Sequence, residues 1–291
     1  MPDDPRPELW IRDSEHGTVE LAFRVEKTLF SRRSRFQQID IVQSFDHGLI
    51  LLNDGVVMLT ERDEFIYHEM IAHVPLFVHP APRSVLVIGG GDGGTVREVL
   101  KHPDLERVVL VEIDDVVVEA CRDHFPSVRS AFEDPRLEVR FEDGLQYVAE
   151  SGTAFDIAIV DSTDPIGPGA GLFEQSFYGN IAGRLADDGI LVTQAESPFY
   201  HGRTQREMLA NQRPFFRQLH LYLYPTLSYP GSLYSFGFAS KNPHPLTDVR
   251  TAAIRRTDIH TRYYNDGVHT AAFMLPNFLK DVLCDLLDPI E

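Results

Sequence analysis

The sequence is poor in cysteine, in cationic residues and in long apolar runs. Its two cysteines, Cys121 and Cys284, stand in no CxxC or Cys/His spacing, which argues against a disulfide framework and a zinc site. Lysine and arginine number 27 against 44 acidic residues, and the net charge of −17 argues against non-specific nucleic-acid binding. No apolar run reaches the roughly 18 to 20 residues of a membrane span, and the acidic, proline-rich start is unlike a signal peptide. We therefore expect a cytoplasmic protein with no bound metal and with neither membrane nor nucleic acid as a partner.

A cluster of glycines follows an apolar segment of strand length. Residues 84–95 read SVLVIGGGDGGT, and a helical pattern continues from Val96. Glycine permits the turn and lets a ligand approach the main chain, so Gly89 and Gly91 are predicted cofactor contacts. A second apolar run ends about twenty residues later in Glu112, whose carboxylate suits ribose hydroxyls. The pattern predicts a nucleotide-binding α/β domain for an adenosine-type cofactor, with NAD and S-adenosylmethionine-like sulfonium compounds both open.

Strand and helix patterns alternate after the glycine cluster, which predicts a parallel, doubly wound sheet. The last two strand patterns, Gln218–Tyr224 and Leu233–Ala239, have no helix between them and predict a terminal antiparallel hairpin. That ending favours a Rossmann-like, methyltransferase-type sheet over a dehydrogenase. We assign residues 71–291 to this catalytic α/β domain.

Shorter alternating patterns precede the catalytic domain. With the turn signal Asn-Asp-Gly at 53–55, they predict a small N-terminal antiparallel β domain over residues 1–70. A connecting helix should end at about His73, because Pro75 follows. The basic segment Ser31–Arg35 is predicted to be a loop insertion, and the sequence gives it no role.

Acidic residues follow four of the predicted strands. They are Asp92, Glu112, Asp143 and Asp161, with Asp164 three residues beyond the last. One such acid is usually a helix cap or turn residue, but four in succession indicate a shared site at the carboxyl ends of the strands. Glu112 suits the ribose, and Asp143 with Gly144 suits the adenine amino group. The other acids exceed the needs of an adenosine moiety and imply a cationic substrate.

An amine substrate would place a specific demand on these acids. If an amine attacks a carbon on a sulfonium, its nitrogen must first lose a proton that a Lys-like amine holds to about pH 10. A carboxylate in a closed pocket can accept that proton. Asp161, directly at a strand end, is the predicted base, and the loop from Asp161 to Gly171 is predicted to be a hinged lid.

Several segments are longer and more specific than a glycine loop. They are TERDEFIYHEM at 60–70, GGGDGG at 89–94, VEID at 111–114, DSTDPIGP at 161–168, RYYN at 262–265 and HTAAF at 269–273. Together they resemble the polyamine aminopropyltransferases, the spermidine synthase family, over nearly the whole chain. The resemblance implies transfer of the aminopropyl group of decarboxylated S-adenosylmethionine to a diamine, with putrescine as the first choice. The products would be spermidine and methylthioadenosine, with no metal or prosthetic group, in a homodimer or homotetramer formed through the N-terminal strands.

The resemblance also implies roles for individual residues. Asp161 resembles the proton acceptor, Asp92 the acid that holds the amine of the donor beside the diamine, and Tyr229 the tyrosine that closes the diamine end. Further implied diamine contacts are Tyr67, His68 and Asp164. The implied nucleoside contacts are Gln37, Glu112, Asp143, Gly144 and Pro168.

Three positions depart from the family pattern, all on the acceptor side. Met58 stands where glutamine is common, Leu227 where a proline usually precedes the tyrosine by two residues, and Gly169–Gly171 where a glutamate is often found. The identity of the amine is therefore open. Two other functions also remain: a diamine N-methyltransferase using S-adenosylmethionine on the same scaffold, and a non-catalytic polyamine-binding protein, against which Asp161 and Asp164 argue.

Overall fold

Two β-sheets form the framework of the computed structural model, which describes residues 8–15, 17–150, 152, 154–162 and 167–290. Within these residues one sheet has five strands and the other has seven. No helix in this part of the chain is long and apolar enough to cross a membrane. Asp164, a predicted diamine contact, lies outside the described residues.

The N-terminal sheet is antiparallel, and each strand pairs with the next along the chain. Its strands are β1 (Leu9–Glu15), β2 (Val19–Arg33), β3 (Gln38–Ser44), β4 (Leu49–Asn53) and β5 (Val56–Thr60). The predicted turn joins β4 to β5, where Asp54 (φ 49°) and Gly55 (φ 87°) adopt left-handed backbone angles. The loop insertion predicted at Ser31–Arg35 is wrong for residues 31–33, which pair with β3. Most of β2 is exposed on both faces, so it lacks the apolar alternation that marks a strand.

The larger sheet carries the parallel core. Its strands are β6 (Ser84–Gly89), β7 (Arg107–Glu112), β8 (Leu137–Phe141), β9 (Phe155–Asp161), β10 (Leu185–Gln194), β11 (Gln218–Pro225) and β12 (Leu233–Ser240). They lie in the order β11-β12-β10-β9-β6-β7-β8. Strands β6 to β10 run parallel, and β12 lies antiparallel between β10 and β11. The methyltransferase-type sheet and the N-terminal antiparallel sheet predicted from the sequence are both confirmed.

Helices cover both faces of the larger sheet. They are α1 (Glu64–Val78), α2 (Gly94–Leu100), α3 (Asp115–His124), α4 (Pro126–Phe132), α5 (Gly144–Ala149), α6 (Gln175–Arg184), α7 (Gly202–Gln212), α8 (Thr251–Arg256), α9 (Asp266–Ala272) and α10 (Asn277–Leu283). One apolar core packs α1 and α2 against the sheet, and a second packs α6, α7 and α10 against the opposite face. This sandwich fixes the carboxyl ends of the parallel strands, where the predicted site residues lie.

Helix α1 extends beyond its predicted end. The prediction that it stops near His73 is wrong, because the helix continues to Val78 with Pro75 inside it. Every residue from His68 to Val78 is buried. Burial of side chains such as Leu76 and Phe77 therefore outweighs the hydrogen bond that proline removes. The proposed domain division at about residue 70 falls inside this helix and stays a prediction.

A third apolar cluster joins the N-terminal sheet to the larger domain. Ile39, Ile41 and Leu51 of the sheet pack against helices α3 and α4, including the buried Cys121. The cluster brings the turn between β2 and β3 to the carboxyl end of β7. The N-terminal sheet therefore contributes residues to the same edge as the strand-end acids.

Candidate active site

The glycine turn after β6 passes directly against two of the strand-end acids. Gly89 and Gly90 have φ angles of 77° and 70°, which side chains rarely adopt. A Cβ at Gly89 would lie 2.1 Å from the carbonyl oxygen of Asp161, and one at Gly91 would lie 2.8 Å from Glu112 Oε2. Glycine is needed at these positions because the loop and the acids occupy adjoining space.

Asp161 ends β9 and is only 9% exposed. Its Oδ1 accepts a hydrogen bond from the Tyr67 hydroxyl (2.5 Å), and its Oδ2 accepts one from the Thr95 hydroxyl (2.6 Å). Burial raises the pKa of Asp161, and the nearby carboxylate of Asp92 raises it further. Each carboxylate oxygen has a second lone pair, so both hydrogen bonds leave room for an incoming proton. The arrangement is suited to a general base.

Tyr67 is held as a hydrogen-bond donor to Asp161. Its ring packs edge-on against Tyr224 at 5.6 Å and against Phe236 at 5.0 Å. Burial and the neighbouring Asp161 raise the pKa of Tyr67 well above its ordinary value. The phenol therefore keeps its proton and fixes one oxygen of Asp161.

His68 bridges two carboxylates. Its Nδ1 lies 2.5 Å from Glu64 Oε2, and its Nε2 lies 3.3 Å from Asp92 Oδ1. Arg97 in turn donates to both oxygens of Glu64, at 3.0 and 2.8 Å. Burial alone would lower the pKa of His68, but the carboxylates of Asp92 and Glu64 raise it to about 10. The ring is therefore an imidazolium at neutral pH.

Ligand atoms of His68, Asp92 and Asp161 all lie within 4.8 Å of one another, a spacing that also suits a metal ion. Both nitrogens of His68 face carboxylates, so a metal ion here would compete with the ring proton. Two carboxylates at this spacing give the position a negative potential that suits a cation.

A second group with metal-like spacing comprises His79, Asp156 and Asp188, near the amino ends of β9 and β10. His79 Nδ1 accepts a hydrogen bond from the Ala81 main chain (3.3 Å), which places the proton on Nε2. That nitrogen lies 3.4 Å from Asp188 Oδ1. The two side chains are close enough to attract each other electrostatically, but the contact does not meet hydrogen-bond geometry.

Glu112, at the end of β7, is held by main-chain donors. Its Oε2 accepts from the Gly91 amide at 3.2 Å and its Oε1 from the Asp114 amide at 2.9 Å. Burial nevertheless raises the pKa of Glu112 to about 7. Its place beside the glycine turn, held by two main-chain amides, suits Glu112 for accepting hydrogen bonds from the hydroxyls of a sugar.

Asp143 and Gly144 follow β8 at the start of α5. One oxygen of Asp143 caps this helix by accepting from the Leu145 amide at 2.8 Å. A Cβ at Gly144 would lie 2.6 Å from Ile88 Cγ2, so glycine lets α5 approach β6. The cap uses one of the two carboxylate oxygens of Asp143.

Gln37 reaches this edge from the N-terminal sheet. Its Nε2 donates to Asp114 Oδ2 (3.1 Å), and the Ser34 hydroxyl donates to the same oxygen (2.7 Å). Asp114 is fully buried and also caps α3 through the Val116 amide. These hydrogen bonds to Asp114 therefore hold the turn that carries Gln37 next to the end of β7.

Tyr229 lies at the other side of the site, where the loop after β11 meets α1. Its hydroxyl donates to the main-chain oxygen of Met58. Asp63 Oδ2 accepts from the amides of Leu227 (2.8 Å) and Ser228 (3.0 Å), which fastens the loop. The Met58 contact thus uses its backbone, and the side chain of Leu227 is exposed.

The end of the predicted lid is a 3₁₀ helix, Gly167–Phe173, which contains Pro168 and Gly169–Gly171. A Cβ at Gly171 would lie 2.6 Å from Leu145 Cδ1, so this helix packs closely on α5. The lid therefore ends beside the predicted adenine contacts Asp143 and Gly144.

Four residues of the site were missed by the sequence analysis: Glu64, Thr95, Arg97 and Glu196. Glu64 could have been found from its four-residue spacing to His68 on one helix face. Glu196 could have been found because it follows strand β10 by two residues, much as the other acids follow their strands. It is 1% exposed and has a left-handed backbone angle (φ 62°). Thr95 and Arg97 contact the acids only across the fold, and no local signal marks them.

Fold and site together define a class of protein, an α/β enzyme of the methyltransferase type with an acidic site. Residues 64–250 match the family model described as the spermine/spermidine synthase domain. Residues 9–61 match the spermidine synthase tetramerisation domain. The chain belongs to the spermine/spermidine synthase family, as its motifs predicted.

Relatives and solved structures agree over almost the full chain. Polyamine aminopropyltransferases from Alkaliphilus metalliredigens and Methanocaldococcus jannaschii are each 42% identical, with 94% and 98% of this chain and 97% and 99% of the relatives covered. A spermidine synthase in complex with the transition state analogue AdoDATO superimposes with a TM-score of 0.94 at 40% identity, covering 97% of both chains. The Thermotoga maritima spermidine synthase gives 0.92 at 40% identity, covering 97% and 96%. The prediction that the chain is a transferase is confirmed.

Proposed function

We propose that this enzyme transfers the aminopropyl group of decarboxylated S-adenosylmethionine to putrescine, giving spermidine and methylthioadenosine. The observation that carries the proposal is the pair of carboxylates of Asp92 and Asp161, whose oxygens lie within 4.8 Å of each other. An ammonium group fits between them, and Asp161 has the raised pKa of a proton acceptor. The likeness to a spermidine synthase that binds AdoDATO supports the same reaction.

In the proposed reaction, Asp161 removes a proton from one ammonium group of the diamine. The freed amine attacks the aminopropyl carbon bonded to sulfur; the new C–N bond forms as the C–S bond breaks, and the electron pair stays on sulfur. Neutral methylthioadenosine leaves, and the product nitrogen carries the positive charge that the sulfonium loses. Tyr67 and Thr95 orient Asp161 for this step through their hydrogen bonds.

The donor would lie along the carboxyl ends of β6 to β8. Glu112 would bind the ribose, Asp143 and Gly144 the adenine, and Asp92 the amine of the aminopropyl group. The further nucleoside contacts that we propose are Gln37, Gly89, Gly91 and Pro168. Backbone donors hold Glu112 beside the glycine turn in a position consistent with this assignment.

The acceptor would extend from Asp161 towards Tyr229, with Tyr67 and His68 beside it. Glu196 adds a buried acid on the same side, where its charge helps to raise the pKa of Tyr224. We propose Asp164 as a further anchor for the diamine. The match to a tetramerisation domain supports a homo-oligomer formed through the N-terminal sheet.

The test is to incubate the purified enzyme with decarboxylated S-adenosylmethionine and a panel of diamines of increasing chain length, and to identify products by mass. We expect spermidine and methylthioadenosine in equal amounts, with putrescine giving the highest kcat/KM. A longer diamine as the best acceptor would overturn the choice of putrescine. Methylated amines formed from S-adenosylmethionine, without aminopropyl transfer, would overturn the reaction itself.

A further inference from the structure

Four side chains of alternating charge form a continuous row beside Asp161, in the part of the site that we propose to bind the amines and call the amine side. In order they are Arg97, Glu64, His68 and Asp92, joined by contacts of 2.8, 2.5 and 3.3 Å. Their side chains are between 4% and 17% exposed. Only Asp92 and His68 belong to the predicted site, so the other two form a layer behind it.

The position of His68 is further constrained by the start of α2. A Cβ at Gly94 would lie 2.2 to 2.5 Å from three atoms of the His68 ring. The Gly94 amide also donates to Asp92 Oδ1 at 2.7 Å, the same oxygen that faces His68 Nε2. The ring therefore packs against the helix start, and Asp92 is held from two directions.

We propose that Glu64 and Arg97 are positioning residues, which hold His68 against Asp92 and so fix the carboxylate that faces Asp161. The inference rests on the proposed function, because it concerns the acid assigned to the donor amine. Arg97 makes a bidentate contact with Glu64, which the single ammonium group of lysine cannot reproduce. Glu64 then orients Nδ1 of the ring and leaves Nε2 for Asp92.

The row also sets the charge on His68. The titratable and charged groups around the ring are Glu61 before α1, Glu64 and Tyr67 on α1, Asp92 after β6, Arg97 on α2 and Asp161 at the end of β9. The positive ring lowers the pKa of Asp92 and opposes the rise in the pKa of Asp161. Removing Glu64 should let His68 lose its proton at lower pH, and both acids would then lose their cationic neighbour.

The first measurement uses nuclear magnetic resonance of the free protein, without any substrate. The His68 ring signal, assigned by its absence in His68→Gln, should show no protonation step below about pH 9. In Glu64→Gln the step should move down by at least about one pH unit, whereas in Glu106→Gln, an exposed surface control, it should not move. A step near pH 6.5 in the unsubstituted protein would overturn the proposal, even if Glu64→Gln does not fold.

The second measurement is the pH dependence of aminopropyl transfer. Glu64→Gln should lose about tenfold in kcat/KM at about pH 9 and clearly less at about pH 6.5, the size expected for one hydrogen bond to a charged group. Arg97→Lys should fall between this variant and the unsubstituted enzyme. An equal loss at both pH values would indicate a structural role only and contradict positioning. Absence of transfer with every diamine, combined with the expected His68 titration, would overturn the proposed function while the charged row stands.

Discussion

The proposed nucleoside side of the site, around Glu112 and Asp143, and its proposed amine side, around His68, Asp92 and Asp161, are built in different ways. On the nucleoside side, main-chain amides donate hydrogen bonds to Glu112, and the Leu145 amide donates one to Asp143. On the amine side, side chains position one another: Tyr67 hydrogen-bonds to Asp161, and Glu64 hydrogen-bonds to His68. Backbone contacts survive most substitutions, whereas a row of side chains transmits each change to its neighbours. We expect substitutions on the nucleoside side to act locally and those on the amine side to spread.

The two sides also differ in how charge is compensated. In the row from Arg97 to Asp92, two positive and two negative groups alternate, so its net charge is close to zero. Asp161 accepts hydrogen bonds from two neutral hydroxyls and, when ionised, adds one negative charge to this row. The His68 ring offsets this charge only in part, because it is already paired with Glu64 and Asp92. The amine side therefore keeps a net negative charge where the proposed cationic acceptor must lose a proton.

The largest expected effect comes from replacing Asp161, the proposed proton acceptor on the amine side. Asp161→Asn should lower kcat by about 10² to 10⁴, the range for loss of a general base, because an amide cannot accept the proton. Binding of methylthioadenosine should stay nearly unchanged, since the hydrogen bonds of Asp161 go to Tyr67 and Thr95 and not to Glu112 or Asp143. Steady-state kinetics and calorimetry measure the two quantities.

Asp123→Asn, at an exposed surface pair, is the matched control and should keep full activity. If Asp161→Asn retains more than about half of the activity, Asp161 is not the base.

A smaller effect is expected when decarboxylated S-adenosylmethionine is replaced by full S-adenosylmethionine. The donor would occupy both sides of the site, with its nucleoside on one side and its amine on the other. Full S-adenosylmethionine has a carboxylate that would lie near Asp92 and Asp161. Residues 89–95 and 161–173 contain no lysine or arginine, and Arg97 and His68 are already paired with carboxylates. Repulsion and desolvation of the extra charge should favour the decarboxylated donor at least about tenfold, or roughly 1.4 kcal/mol.

Competition binding of the two donors measures this preference directly. Adenosine, which lacks the sulfonium group and the amine-bearing chain of both donors, is the reference ligand and should bind through the nucleoside side alone. Comparable affinities for the two donors would show that the amine side does not discriminate by charge and would favour the methyltransferase alternative.

The contrast between the sides explains how much could be predicted from the sequence. The parallel core, the hairpin of β11 and β12 and the strand-end acids follow from local patterns and from the rule that ligands bind at strand ends. The contact between Arg97 and Glu64 spans 33 residues and has no local signal. Pro75 was misjudged because only tertiary packing reveals how much α1 buries. Residues 31–33 of β2 were wrongly predicted as part of a loop because exposed strands lack a clear alternation.

The smallest expected effect tests the nucleoside side through Glu112→Gln. At about pH 8, where Glu112 is ionised, a carboxylate accepts ribose hydrogen bonds more strongly than an amide, so methylthioadenosine should bind about tenfold more weakly. Diamine binding should change less, because Glu112 is held by main-chain amides of the glycine turn and of the residues that follow it, and no hydrogen bond links it to Asp161. Calorimetric titration of both ligands decides this. An equal loss for both would mean that Glu112 supports the fold.

The same substitution should also change how stability depends on pH. Burial raises the pKa of Glu112 from an ordinary 4.5 to about 7, so between these values the folded protein holds the proton that the unfolded chain has lost. The resulting stabilisation is fully present below about pH 4.5 and is lost as the pH rises through about 7. Glutamine does not titrate, so the stability of Glu112→Gln relative to the unsubstituted enzyme should be higher at about pH 8 than at about pH 5. Because the Glu112 side chain is partly exposed, we expect the unfolding free energy of Glu112→Gln, relative to the unsubstituted enzyme, to rise by only about 1 kcal/mol between these two pH values. The free energy of unfolding of both proteins, measured at both pH values, tests this expectation, and Glu106→Gln is the exposed control. If the difference in unfolding free energy between Glu112→Gln and the unsubstituted enzyme does not vary with pH, the amides of Gly91 and Asp114 already compensate the charge.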